Sequence, residues 1–172
     1  LVALLTGLVP LMVILFELPE LNKTYGETLI KHNTNLMYIF YWVLGFSVFA
    51  FLTNFIREVV KDMEDFEGDS AYGRNSIPVI LGIKNSKIIV DILIIITLCL
   101  LAFVHFEYLK DKITLIYFSL FLFLPFLFLI FKTMKANNKK DYRLIGNGLK
   151  IIMFTGIIYA FVARFIIQTQ LL

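Results

Sequence analysis

The chain has 172 residues, 59% of them hydrophobic and 16% aromatic, with only 17% charged and a net charge of +3; its mean hydropathy is +0.83. A water-soluble domain of this length carries more charge and shorter apolar runs, so that class is excluded. The single cysteine, Cys99, excludes a disulfide framework and a cysteine metal site.

Five long apolar runs predict five membrane-spanning helices, because only a helix satisfies its backbone amides within one segment in hydrocarbon. The first, Leu1–Phe16, lacks the basic start and small-residue cleavage site of a signal peptide, and Pro10 within it predicts a kink. It starts at Leu1 without a polar flank, so further protein is expected upstream. The second, Leu36–Ile56, holds no charge in 21 residues, enough at ~1.5 Å per residue to cross a ~30 Å core. A third run covers Ile88–Phe106, with Asp91 expected in the first turn of its helix, where the dipole favours an anion. The fourth, Ile113–Phe131, contains Pro125, a second expected kink. Between it and the fifth run, Ile151–Ile167, lies a basic loop with turns expected at Asn137-Asn138 and Gly146-Asn147-Gly148. Arg164 is expected to snorkel from the last span, and His32 and His105 to be plain interfacial residues.

The loops are unequally charged. The second holds Arg57, Lys61, Arg74, Lys84 and Lys87, and the fourth holds Lys132, Lys135, Lys139, Lys140, Arg143 and Lys150. The first and third offer only Lys23, Lys31, Lys110 and Lys112. Orientation follows such counts, which places the second and fourth loops in the cytoplasm. The basic fourth loop is accounted for by topology and anionic membrane lipid, so no nucleic-acid partner is expected.

One stretch carries chemistry. Between Arg57 and Asp69 stand six carboxylates, and helical steps of three or four place Asn54, Glu58, Asp62, Asp65 and Asp69 along one side. A solvated, salt-bridged helix end would alternate in sign. Here Glu58 to Asp62, Asp62 to Asp65 and Asp65 to Asp69 are like-charge neighbours, costing about 0.2–0.5 kcal/mol each, and a divalent cation would offset that. Magnesium suits such a row, since it binds through a few carboxylates with substrate phosphates; zinc would want histidine or cysteine. The following residues, 70–79, return the chain to the membrane, with Gly73 and Pro78 as helix breakers and Arg74 placed to meet phosphate oxygens.

The pattern Asp62-x-x-Asp65-x-x-x-Asp69, then Gly73-Arg74 and Pro78, resembles the second aspartate-rich motif of the UbiA-type intramembrane prenyltransferases. The string from Arg57 to Asp69 is most similar to the geranylgeranylglyceryl-phosphate geranylgeranyltransferase branch. The resemblance implies an all-α polytopic membrane bundle whose five helices correspond to the last five of nine. It makes residues 1–172 a partial domain, because the first aspartate motif, in the amino-terminal half, has no counterpart here. It further implies transfer of a polyprenyl group from an isoprenoid diphosphate to a glyceryl-phosphate ether lipid or an aromatic acceptor. In such a reaction Mg2+ held by both motifs grips the diphosphate while the carbon–oxygen bond ionises. Asp65 and Asp69 would then be the main metal ligands, Asp62 a further one, and Lys61 and Arg74 diphosphate contacts. Aromatic residues Tyr38, Phe40, Tyr41, Trp42, Phe46 and Phe49 would line a tunnel for the prenyl chain. The expected location is the inner membrane of a prokaryotic cell, with the 62–69 segment cytoplasmic.

Two other readings are available. CDP-alcohol phosphotransferases also use spaced aspartates, but they require glycine where Phe66 stands. A non-enzymatic cation-binding subunit would place polar residues deep in its spans, whereas residues 92–98 and 120–124 are nearly all apolar.

Overall fold

The apolar runs all become helix, and each helix outruns the run that predicts it, because flanking polar residues extend the hydrogen-bonded ladder beyond the hydrocarbon. The computed structural model describes residues 2–31 and 37–170, and the side chains at 28–31, 38 and 169–170 are not among those described. His32, the first residue of each of the first two expected spans, and the side chains of Lys31 and Tyr38 therefore lie outside the described residues. The elements are α1 (Val2–Lys31), α2 (Met37–Glu64), α3 (Phe66–Ala71), α4 (Ile77–Leu81), α5 (Ile83–Val104), α6 (Lys112–Phe118), α7 (Leu124–Lys135) and α8 (Lys139–Gln170). Two π-helical turns, His105–Leu109 and Ser119–Phe123, follow α5 and α6. Among the described residues there is no strand.

Among the described residues, five stretches are long and apolar enough to cross a membrane: Val2–Glu27, Ile39–Glu64, Ile83–Leu109, Lys112–Lys135 and Lys139–Gln168. The chain is an all-α integral membrane protein. Large apolar side chains such as Phe16, Phe131, Phe154 and Phe161 point outward, the arrangement expected where the surrounding solvent is lipid.

The chain divides into two units, Leu1–Phe55 and Ile56–Leu172. In the first, the residues from Glu17 onward, expected to open a loop, continue α1 as helix to Lys31. Gly7 of α1 faces α2 so closely that a Cβ there would stand 2.7 Å from Phe51 Cβ and 3.1 Å from the Ser47 carbonyl oxygen. Small residues at such crossings let backbones approach where apolar burial gives no drive between helices. Polar side chains of α2 turn back on their own helix: Ser47 Oγ donates to the Val43 carbonyl at 2.8 Å, Thr53 Oγ1 to Phe49 at 2.7 Å and Asn54 Nδ2 to Ala50 at 2.9 Å. Trp42 stacks on Phe46 at 6.3 Å, and Tyr41 is largely exposed.

The second unit is built on α8. Its buried residues Tyr142, Ile145, Leu149, Ile152, Tyr159, Ala163 and Ile166 recur at helical spacing and face a core that includes Val90, Ile94, Phe118, Leu122, Phe126 and Leu129. Gly146-Asn147-Gly148 is not a turn: it lies inside α8. A Cβ on Gly148 would reach 2.9 Å from Leu129 Cδ2, so this glycine serves close packing of α8 on α7. Pro125 does disturb its helix. The π-helical turn precedes it, and the carbonyl of Phe121, four residues before the proline that has no N–H to offer, lies 3.3 Å from Thr155 Oγ1 of α8, which shares its one proton between that carbonyl and the Ile152 carbonyl at 2.9 Å. Tyr117 Oη donates to the Thr155 carbonyl at 2.7 Å, and Thr114 Oγ1 and Tyr159 Oη share a buried bond of 2.8 Å.

One expectation about an ionisable residue is corrected: Asp91 is not in a first turn, since α5 starts at Ile83, and Asp91 Oδ1 is buried without a hydrogen-bond partner. His105 is buried in the first π-helical turn, with its ring 5.2 Å from Phe106 and 6.5 Å from Phe118. Arg164 is exposed on α8, and Cys99 is exposed on α5.

Candidate diphosphate site

α2 carries helical hydrogen bonding to Glu64 and then bends at Asp65, whose backbone takes φ −97° and ψ 8°. The ladder survives the bend, with Asp65 N–H donating to the Lys61 carbonyl at 3.0 Å and Asp69 N–H to the Asp65 carbonyl at 2.9 Å. The acidic row is therefore not one straight stripe, yet its charges still meet. Asp62 interacts electrostatically with Asp69, Glu58 and Asp65, and with Lys61.

The end of α3 explains why Gly73 and Arg74 follow Asp69 at their spacing. Gly73 adopts φ +66°, its N–H donates to the Ser70 carbonyl at 3.3 Å, and the Arg74 N–H donates to the Asp69 carbonyl at 2.9 Å. These two bonds form a Schellman motif, whose left-handed position favours glycine. The knot folds Arg74 back so that its NH1 lies 3.5 Å from Asp69 Oδ1. Asp69 is buried while Arg74 is 77% exposed, so the guanidinium keeps most of its donors for another anion. Pro78 does not break a helix; it lies in the first turn of α4, and Gly82, at φ +82°, ends that helix.

Two residues of the basic segment before the last span enter the site. Lys139 Nζ stands 3.5 Å from Asp65 Oδ1. Arg143 directs both NH2 and Nε at Glu64 Oε1, at 2.9 and 3.0 Å. The start of α8 that bears them is fixed from three sides. Asp141 Oδ2 accepts from the Asn137 and Asn138 N–H groups at 3.0 and 3.2 Å, Tyr142 Oη donates to the Ala136 carbonyl at 3.4 Å, and Lys87 Nζ donates to the same carbonyl. Nothing local in the sequence announces the pairs with α8, because a basic loop next to a span is already explained by orientation.

Among the described residues, no group of three or more His, Cys, Asp or Glu side chains is placed to hold a metal ion by itself. The donors present are hard carboxylate oxygens, and magnesium usually takes only one or two of these, keeping waters and bridging to substrate phosphates. Asp65 and Asp69 offer such oxygens, each in an ion pair with a solvent-exposed cation.

A family model described as the UbiA prenyltransferase family matches residues 1–158. The chain belongs to the UbiA prenyltransferase family. It is similar to proteins named digeranylgeranylglyceryl phosphate synthase: 32% identical over 135 residues to that of Methanosphaera stadtmanae, covering 78% of this chain and 46% of the relative. The identity is 31% over 142 residues for Methanobrevibacter smithii, covering 81% and 44%, and 48% over 46 residues for Pyrococcus horikoshii, covering 27% and 17%. The chain thus spans somewhat under half the length of the first of these relatives. No solved structure matches.

Proposed function

We propose that this chain supplies the second half of a membrane-embedded prenyltransferase, which moves a polyprenyl group from an isoprenoid diphosphate to the hydroxyl of a glyceryl-phosphate lipid. The observation that carries this reading is the corner formed by Asp62, Asp65 and Asp69, with Arg74 tied back onto Asp69. Family membership and the printed names of the relatives support the substrate classes.

In this reading Asp65 and Asp69 hold Mg2+, with Asp62 beside them. The bound ion supplies charge neutralisation for the departing diphosphate. Arg74 offers a planar fork of donors to the phosphate oxygens, and Lys61 a mobile ammonium, both placed where negative charge grows as the carbon–oxygen bond breaks. The acceptor oxygen then bonds to the allylic carbon and loses its proton. The aromatic residues of α2 line the path of the prenyl chain, and the corner faces the cytoplasm of a prokaryotic cell. A complementary aspartate motif comes from protein amino-terminal to this chain.

Replacing Asp65 or Asp69 with alanine in the full-length protein is expected to abolish transfer from labelled prenyl diphosphate while membrane insertion persists. Full activity in both variants would end the assignment. In the same assay, product on a glyceryl-phosphate ether and none on aromatic acids identifies the acceptor class; the reverse result overturns the lipid acceptor but not the diphosphate site.

A further inference from the structure

We infer that Lys139 is a diphosphate-binding residue that occupies Asp65 until the metal and diphosphate arrive. The inference rests on the reading of Asp62, Asp65 and Asp69 as a magnesium site and extends it to a helix that no motif marks.

The two ion pairs between α8 and the acidic segment differ in character. Arg143, itself 63% exposed, places two nitrogens on one oxygen of Glu64, whose side chain is 18% exposed, so the contact differs from that of Lys139 in its two short bonds and its sheltered carboxylate. Lys139 meets Asp65 at 3.5 Å with both side chains substantially exposed, 60% and 47%. Solvent screens such a pair, and it exchanges easily. The residues are one helical turn apart on α8, so anchoring Arg143 brings Lys139 to the next residue of the bend. Arg143 is the positioning residue and Lys139 the mobile one.

A divalent ion bound through Asp65 Oδ1 competes with the ammonium for that oxygen, and repulsion between the two cations loosens the pair. The freed ammonium remains tethered within reach, because the first turn of α8 is held by Asp141, Tyr142 and Lys87. It carries three donors on a flexible stem, and the new negative charge that comes with the metal is the diphosphate. Lys139 therefore opposes the metal when it binds alone and assists it when it binds with diphosphate. A purely structural salt bridge lacks this reversal of sign.

The test uses the full-length protein in lipid nanodiscs, with Mn2+ binding read by electron paramagnetic resonance and Mg2+-dependent binding of inorganic pyrophosphate read by calorimetry. Lys139→Gln is expected to bind Mn2+ alone about three- to tenfold more tightly and magnesium pyrophosphate about tenfold more weakly. Lys139→Arg should restore most of the pyrophosphate affinity. Unchanged affinities in Lys139→Gln, or a loss of both, would overturn the inference. Asp65→Asn and Asp69→Asn should lower the number of Mn2+ ions bound, leaving only those held by the amino-terminal motif. If the number is unchanged, the magnesium site at Asp65 and Asp69 falls and this inference with it, whereas a lowered number alongside an inert Lys139→Gln rejects Lys139 alone.

Discussion

Gly73 shows how one backbone angle can set a charge. At φ +66° it closes the two hydrogen bonds that return Arg74 to Asp69. Alanine in that region is disfavoured by roughly 1–2 kcal/mol, and asparagine by less. Gly73→Ala is therefore expected to weaken magnesium pyrophosphate binding several-fold while Gly73→Asn keeps most of it, as isothermal calorimetry would show; equal affinities would separate the knot from ligand binding. This part of the site was legible in the sequence because Asp65, Asp69, Gly73 and Arg74 are near neighbours whose spacing is a local matter. Lys139 and Arg143 were not legible. Arg143 lies 79 positions from Glu64, and its charge was already accounted for by membrane orientation.

Among the helices, glycine and proline announced contacts whose kind the sequence left ambiguous. Gly146 and Gly148 read as turn residues, yet hydrocarbon penalises an open turn and rewards close helix approach, so the same residues stay helical and Gly148 packs on Leu129. Gly7 has less room than Gly148, because its neighbours are a Cβ and a backbone oxygen rather than the end of a leucine. Gly7→Ala is expected to cost about 1–3 kcal/mol and Gly148→Ala clearly less, measured by denaturation in sodium dodecyl sulfate. Pro125 was legible as a disturbance, but the rescue of the Phe121 carbonyl by Thr155 came from a helix 34 residues away. Thr155→Val should lose about 0.5–1 kcal/mol in the same titration, the usual worth of a polar contact between membrane helices. No loss would mean the carbonyl is satisfied otherwise.

For the molecule as a whole, hydropathy alone gave the number of spans, and the five helices extend past each expected run because amphipathic ends are invisible to a count of apolar residues. Sidedness is open to direct measurement. In a Cys99→Ser background, Asn75→Cys and Asn138→Cys are expected to react with an impermeant maleimide from one face, and Lys112→Cys from the other. Labelling of all three from one side would reject the proposed threading.

The bond between Thr155 and Phe121 has a consequence for distance. It pins α8 against the proline-broken helix at one height, and Lys139 lies sixteen residues before Thr155, about 24 Å along the axis at ~1.5 Å per residue. α8 thus works as a ruler with its zero mark at the Thr155 contact and its far end at Asp65. Changing Lys139 to another cation alters what the tip carries, but inserting one residue between Arg143 and Thr155 turns the tip by about 100° and carries both cations off the acidic corner. A chain so lengthened would still cross the membrane and would misplace its charges, so side-chain substitutions should be forgiven there more readily than any change of length.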